Sequence, residues 1–209
     1  MTSRTLENLY GRLVLGFPVP PHDGMQNLRR MKFLHDSILK FAVRSSGVAL
    51  EVGCYKGGST VFLAKACLRK GISDIYAMDL FSGTPSWHQT FDTYEATRTR
   101  MTTYQLDRHV TLIRSNSLEY AWDRKIDVFH LDADHEYEAV ANDIDKYIPF
   151  LTDEGIAVFD DYDAAHPGVK KAVHELLLKH PQFEVVALNF EGWEYGSICL
   201  QNRAAGWPR

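Results

Sequence analysis

Residues 126–135 read IDVFHLDADH, residues 136–151 read EYEAVANDIDKYIPFL, and residues 155–161 read GIAVFDD. A short apolar run, Ile126, Val128, Phe129 and Leu131, stops abruptly at Asp132, Asp134 and His135. Val140, Ile144, Tyr147, Ile148 and Leu151 then recur at helical spacing. A second apolar run, Ile156 to Phe159, stops as abruptly at Asp160 and Asp161. A strand, a helix and a strand of these lengths predict a right-handed crossover, so both strands run parallel and end on the same edge of the sheet. Carboxylates distant in sequence become neighbours at that edge, where ligands of open α/β sheets bind. Crowded carboxylates repel one another unless a cation sits among them, and hard oxygen donors suit Mg²⁺ or Ca²⁺. The expectation is a metal site built at the sheet edge.

The rest of the chain is consistent with one globular unit. Its 209 residues, 45% hydrophobic and 24% charged, suit a single domain with one sizeable core. We divide it into an N-terminal helical or cap segment (1–46), a core (47–201) and a tail (202–209). A net charge of −4 gives no electrostatic case for nucleic acid or an anionic membrane. Cys54, Cys67 and Cys199 lie in apolar contexts without metal-type spacing, as in a reducing compartment. The start, MTSRTLENLYGR, lacks the apolar stretch of a signal peptide. No run reaches the ~20 apolar residues of a membrane helix. These features predict a soluble cytoplasmic protein.

Taken in order, residues 1–26 give no clear pattern, and Pro18, Pro20, Pro21, Asp23 and Gly24 mark a loop. Leu28, Met31, Leu34, Ile38 and Phe41 predict an amphipathic helix from Asn27 to about Arg44. Strands follow at Val48 to Val52, Ile75 to Met78 and Val110 to Ile113, with helices over 59–70 and around Thr93 to Gln105. Beyond the central crossover come a helix at Val169 to Lys179 and two runs, Phe183 to Phe190 and Tyr195 to Leu200. The link EGWE is too short for a crossover, so these runs form an antiparallel hairpin.

EVGCYKGGST, residues 51–60, stands where the first strand meets a helix, the place for a nucleotide-type ligand. A dinucleotide site wants a second glycine where this chain has Tyr55, and a phosphate loop wants Lys where it has Ser59. What remains is Glu51, Gly53, Gly57 and Ser59. A carboxylate at the strand end suits the ammonium and sulfonium of S-adenosylmethionine better than it suits an anion. Asp79, at the end of the second strand, is placed to accept hydrogen bonds from a ribose diol. Ser115, Asn116 and Ser117, after the third, offer polar groups to an adenine edge.

With these motifs in place, the chain resembles the class I S-adenosylmethionine-dependent methyltransferases, within them the small bacterial O-methyltransferases related to macrocin-type and cephalosporin-type enzymes. The resemblance spans roughly Asn27 to Gln201 and rests on EVGCYKGGST, LDADHEYEAVANDI and GIAVFDDY. It implies an α/β, Rossmann-like, doubly wound fold: a seven-stranded, mostly parallel sheet with a C-terminal antiparallel hairpin. It also implies cofactor contacts at Glu51, Gly53, Tyr55, Gly57, Ser59, Asp79, Asn116, Ser117 and Asp132. Catechol-type relatives hold Mg²⁺ on an Asp after the fourth strand and a pair after the fifth, which implies Asp132, Asp160 and Asp161 here. Asp134 rivals Asp132, because related sugar methyltransferases also show D-x-D. Such a metal lowers the pKa of a substrate hydroxyl and aims its oxygen at the methyl group. Where the catechol enzymes carry a Lys base, this chain has His135, whose imidazole titrates near neutral pH. Relatives commonly self-associate through N-terminal helices, which implies a homo-oligomer acting on a small molecule.

Plainer readings stand beside these. Asp132 or Asp134 could cap the following helix, and Asp161 could be an ordinary loop residue. His130, inside an apolar strand, reads as a packed core histidine, and His166 as a turn residue still close enough to reach the acidic pair. Trp87 and His88 belong to a lid or to a surface loop, and Trp193 faces substrate or a subunit partner. The leading expectation is metal-dependent O-methylation of a natural product, sugar or catechol-like ring. Its alternatives are a metal-free enzyme with His135 as base and a non-catalytic cofactor-binding module, with Tyr55 arguing against a nicotinamide oxidoreductase.

Overall fold

The crossover is present: β6 (Ile126–Leu131), α5 (Tyr137–Tyr147) and β7 (Leu151–Phe159) form it, and Leu131 pairs with Phe159 in parallel register. The computed structural model describes residues 3–20, 28–45, 47–84, 89–191 and 195–203. Before the crossover come α1 (Ser3–Tyr10), a π-helical turn (Gly11–Leu15) and α2 (Leu28–Phe41). The first half of the sheet alternates β1 (Val48–Val52), α3 (Gly58–Arg69) and β2 (Ile75–Asp79). A two-stranded ladder, β3 (Gly83–Thr84) with β4 (Gln89–Thr90), leads to α4 (Tyr94–Thr103) and β5 (Val110–Arg114). After it come α6 (Pro167–Lys179), β8 (Phe183–Glu191) and β9 (Tyr195–Asn202). Pro21, Asp23, Gly24, Asn27, Pro85, Trp87, His88 and Trp193 lie outside the described residues.

Seven strands pair in the order β5-β2-β1-β6-β7-β9-β8. All neighbours are parallel except where β9 pairs with β7 and β8, which makes the expected terminal hairpin. The strand order reverses between β1 and β6, and such a switch point opens a crevice at the carboxyl ends.

Strand alternation explains why two helical layers fit. Ala49, Ala77, Val128, Ile156 and Val158 face one side, against Met31, Leu34 and Ile38 of α2 and Val61 and Phe62 of α3. Leu50, Val52, Met78, Phe129, Leu131 and Phe159 face the other, against α5 and α6. Small residues thus let α2 and α3 lie close to the sheet, and this brings α2 to the site. Cys54, Cys67 and Cys199 are free and buried.

Three differences from the sequence reading have local causes. α1 and the π-helical turn occupy the stretch without a clear pattern, anchored by buried Leu15, Phe17 and Val19. The strand expected at Ile156 starts at Leu151, its pairing offset by a register shift between Ile126 and Val128 that hides the alternation. The ladder β3–β4 is only two residues per strand, too short for a periodic signal. Among the described residues no helix is long and apolar enough to cross a membrane.

Candidate active site

Hydrogen bonds beyond the ends of five strands arrange the site into a row. Ser115 N donates to Asp79 O (3.1 Å), Gly53 N to Met78 O (2.9 Å), Asp132 N to Val52 O (3.0 Å) and Asp160 N to Leu131 O (3.1 Å). The residues that follow β5, β2, β1, β6 and β7 therefore stand side by side. Gly53 closes the row at its centre. Its φ is +88°, and a Cβ there would lie 2.1 Å from the carbonyl oxygen of Asp132. Only glycine fits both constraints.

Asp79 orders the glycine turn from the neighbouring strand. Its Oδ2 accepts from Tyr55 N at 2.8 Å and its Oδ1 from Phe81 N at 2.7 Å. Tyr55 (φ 48°) and Phe81 (φ 54°) both hold left-handed backbone, a strained conformation of the kind that clusters at functional sites. Burial raises the Asp79 carboxyl above its usual range, against the backbone hydrogen bonds from Phe81, Tyr55 and Cys54 that favour its charge. In the next turn Asn116 Oδ1 accepts from Leu118 N at 2.9 Å. The Ser117 carbonyl accepts from Lys146 Nζ at 2.7 Å and Tyr147 Oη at 2.6 Å, tying the turn to α5.

Glu51 lies beneath the row rather than in it. Fully buried, it accepts from Thr60 Oγ1 and sits 3.0 Å from His130 Nδ1. Burial opposes charging of His130, but the Glu51 carboxylate prevails and raises its pKa. His130 is the packed core histidine that the strand pattern suggests. Ser59, also buried, lines a small cavity with Arg30, His130, Asp160 and Ser197.

The acidic cluster is assembled as the crossover requires, and it contains a cation supplied by the chain. Arg30 of α2 donates Nε to Asp160 Oδ1 at 2.9 Å, while its terminal nitrogen lies 2.5 Å from Asp160 Oδ2 and 2.7 Å from Asp161 Oδ1. Ser197 Oγ donates to Asp160 Oδ1 at 2.6 Å. All three charged residues are about 5% exposed. Asp132 stands beside them, half-buried. Burial and the charges of Asp160 and Asp161 push its carboxyl well up, against the pull of Arg30. Asp134, exposed, accepts from Glu136 N at 2.8 Å and so shapes the entry to α5.

Asp161 joins this cluster to two imidazoles. Its φ of 54° turns the carboxylate back into the site, and Asp tolerates that region better than most residues. His135 Nε2 is 2.8 Å from Asp161 Oδ2, and His166 Nδ1 is 3.5 Å from Oδ1. The rings of His135 and His166 lie 4.4 Å apart. Their approach depends on Gly168 at the start of α6, where a Cβ would meet the His135 carbonyl at 2.4 Å. The hydrogen bond to Asp161 raises the His135 pKa over the opposing burial. Burial would raise Asp161 in turn, but His135 and Arg30 hold its carboxyl below the usual range. Asp163 supports His166, with its Oδ1 3.0 Å from Nδ1 and its Oδ2 accepting from Gly196 N at 3.0 Å.

Asp132, His135, Asp160 and Asp161 are thus brought together, with Asp79 and Gly53 along the same row. Arg30, Asp163 and Ser197 join them without having been singled out in the sequence. Arg30 had a signal: it precedes Leu34 by one helical turn, which puts a charge on the apolar face of α2.

A family model described as a methyltransferase domain matches residues 50–162. The O-methyltransferase NovP is similar in structure, with a TM-score of 0.70 at 18% identity over 96% of this chain and 88% of that one. TomG of Streptomyces achromogenes, an O-methyltransferase involved in tomaymycin synthesis and solved with S-adenosylmethionine, gives 0.65 at 14% over 98% and 100%. An O-methyltransferase from Bacillus cereus in complex with S-adenosylhomocysteine gives 0.62 at 15% over 97% and 92%. At these identities the likeness establishes the fold, and it is the fold expected from the sequence. No curated protein matches the chain.

Proposed function

The chain belongs to the methyltransferase-domain family, and from that membership we propose that it moves the methyl group of S-adenosylmethionine onto a hydroxyl oxygen of a small molecule. The observation that carries the reading is the pair His135–Asp161, 2.8 Å apart at the strand edge that also holds Asp79 and the glycine turn. Bound along the row, S-adenosylmethionine supplies an electrophilic methyl group on a sulfonium. Asp79 keeps acceptor capacity on its carboxylate after its backbone bonds, enough to take a ribose hydroxyl. Ser115, Asn116 and Ser117 stand at the adenine end.

His135 receives the proton. With Nε2–H donated to Asp161, the acceptor is Nδ1, and Asp161 stabilises the imidazolium that forms. Backbone strain at Asp161 and the fixed ring of His166 hold this geometry before substrate arrives. Removing a well-placed base costs about 10²–10⁴ in rate. His135→Ala should therefore abolish S-adenosylhomocysteine release in a screen of hydroxylated small molecules, while calorimetry still registers S-adenosylmethionine. A wild-type protein that binds no cofactor would sink the proposal.

A second reading places Mg²⁺ on Asp132, Asp160 and Asp161. Burial and the neighbouring charges of Asp160 and Asp161, which together raise Asp132, favour it, and the all-oxygen donor set suits a hard cation. As arranged, the trio does not fit the ion: Arg30 engages both oxygens of Asp160 and one of Asp161. Magnesium therefore requires Arg30 to withdraw, and dependence of turnover on added Mg²⁺ separates the two readings. Self-association through the N-terminal helices belongs to the same proposal, supported by exposed Leu9, Leu13 and Val14. Sedimentation of wild type against Leu13→Glu tests it.

A further inference from the structure

Arg30 fills the place among the aspartates where an oxygen-bound cation was expected, yet the negative charge at this edge is not exhausted. Asp132, Asp160 and Asp161 all act on the one guanidinium of Arg30, and Asp163 adds a fourth carboxylate beside His166. Asp161 also faces the two imidazoles. One ligand atom from each of His135, Asp161 and His166 can be chosen so that all three lie within 4.8 Å of one another.

We propose that the cation position of this edge is His135–Asp161–His166, and that it takes a borderline divalent ion of the zinc or cobalt type in preference to Mg²⁺. Two nitrogen donors and one carboxylate suit first-row transition ions, whereas Mg²⁺ seeks oxygen. Zinc bonds of about 2.0–2.2 Å would hold three such ligands roughly 3–4 Å from each other. Only a small contraction of the present arrangement is needed. Asp163 adds a carboxylate at His166 Nδ1, the nitrogen that also faces Asp161, and its own oxygens are fixed by the backbone N–H groups of Ala165, His166 and Gly196. The His135 and His166 side chains are 41% and 25% exposed, so an ion can enter and keep positions open for a hydroxyl. An ion in this position would lower the pKa of a hydroxyl bound to it.

The purpose of the site rests on the methyl-transfer reading, but its occupancy can be measured without cofactor or substrate. Co²⁺ titrated into the full chain should give a visible d–d band that saturates at one ion per chain. Zn²⁺ should displace it, and a large excess of Mg²⁺ should not. His166→Ala and His135→Ala should each weaken binding about tenfold or more. Asp132→Asn, which alters the oxygen trio without removing any of the three ligands, should weaken it far less. His166→Gln keeps a hydrogen-bonding group beside Asp163 and guards against simple misfolding, checked by circular dichroism. The proposal is overturned if no band forms. It is equally overturned if Mg²⁺ competes on equal terms, or if Asp132→Asn abolishes the band while His166→Ala leaves it, which would return the ion to the three aspartates. A titration of S-adenosylmethionine on the same sample distinguishes failure of this site from failure of the methyltransferase reading.

Discussion

Arg30 and Asp160, 130 residues apart in sequence, meet as two parallel contacts: Nε to Oδ1 at 2.9 Å and the terminal nitrogen to Oδ2 at 2.5 Å. Both are buried, and the same guanidinium reaches Asp161. Removing one partner of a buried ion pair strands the other charge, at a cost of about 3–5 kcal/mol. Arg30→Ala should lower the urea-unfolding free energy by about that amount. Arg30→Lys should recover only part of it, because an ammonium cannot reproduce the planar fork. Mg²⁺ should raise the melting temperature of Arg30→Ala and leave the wild type unchanged. An equal rise in both proteins would show that the guanidinium does not occupy the cation's place.

Asp79 carries a separate expectation. It bonds the backbone of Tyr55 and Phe81 and is the acceptor proposed for the ribose. Hydrogen bonds to a charged group contribute roughly 1.5–3 kcal/mol, which corresponds to about 10–100-fold in affinity. Calorimetry should show S-adenosylmethionine binding weakened by that factor in Asp79→Ala and by less in Asp79→Asn. Unchanged affinity in Asp79→Ala would remove the ribose contact from the proposal.

Gly53→Ala places a methyl group against the Asp132 carbonyl at a φ of +88°. Backbone meets backbone there, so no side chain can swing away to relieve the contact. Overpacking of this kind costs about 1–3 kcal/mol or more, and left-handed backbone adds to it. A lower denaturation midpoint is expected, together with loss of cofactor binding, because the displaced groups are the end of β1 and Asp132. A Gly53→Ala variant that denatures at the wild-type midpoint would mean that the two strand ends are not in contact.

The fold was legible because a crossover announces itself locally: two apolar runs that stop in acids, with a helical period between them, fix which edge Asp132 and Asp160 share. The cluster was legible for the same reason. Arg30 was not, because its partners lie more than half the chain away and their approach depends on small residues, Ala49 and Ala77, on one face of the sheet. His166 read as a turn residue because Pro167 and Gly168 follow it. That same Gly168 admits α6 against the His135 backbone and delivers the second imidazole. Glu51 illustrates the converse. Its position at a strand end suggested a ligand contact, but strand alternation turns its side chain inward to Thr60 and His130. Position along a strand was readable, whereas the direction of that side chain depended on which face the strand presents to which layer.

That inward pair makes a prediction about pH. Glu51, together with the charges of Asp132 and Asp160, raises the His130 pKa above its ordinary 6.5, although burial opposes the shift. A group whose pKa is raised on folding stabilises the native state fully below its unfolded value, and that contribution disappears as pH rises through the folded value. The wild type should therefore exceed His130→Gln in stability by the most below the ordinary imidazole pKa of 6.5, with the margin shrinking as pH rises above it. His135 is also raised and titrates in the same direction, but it is present in both proteins and cancels to first order in their difference. Urea unfolding of the two proteins across that range measures the margin directly. If the margin stays constant with pH, His130 folds as a neutral imidazole, and its contact with Glu51 is an ordinary hydrogen bond rather than an ion pair.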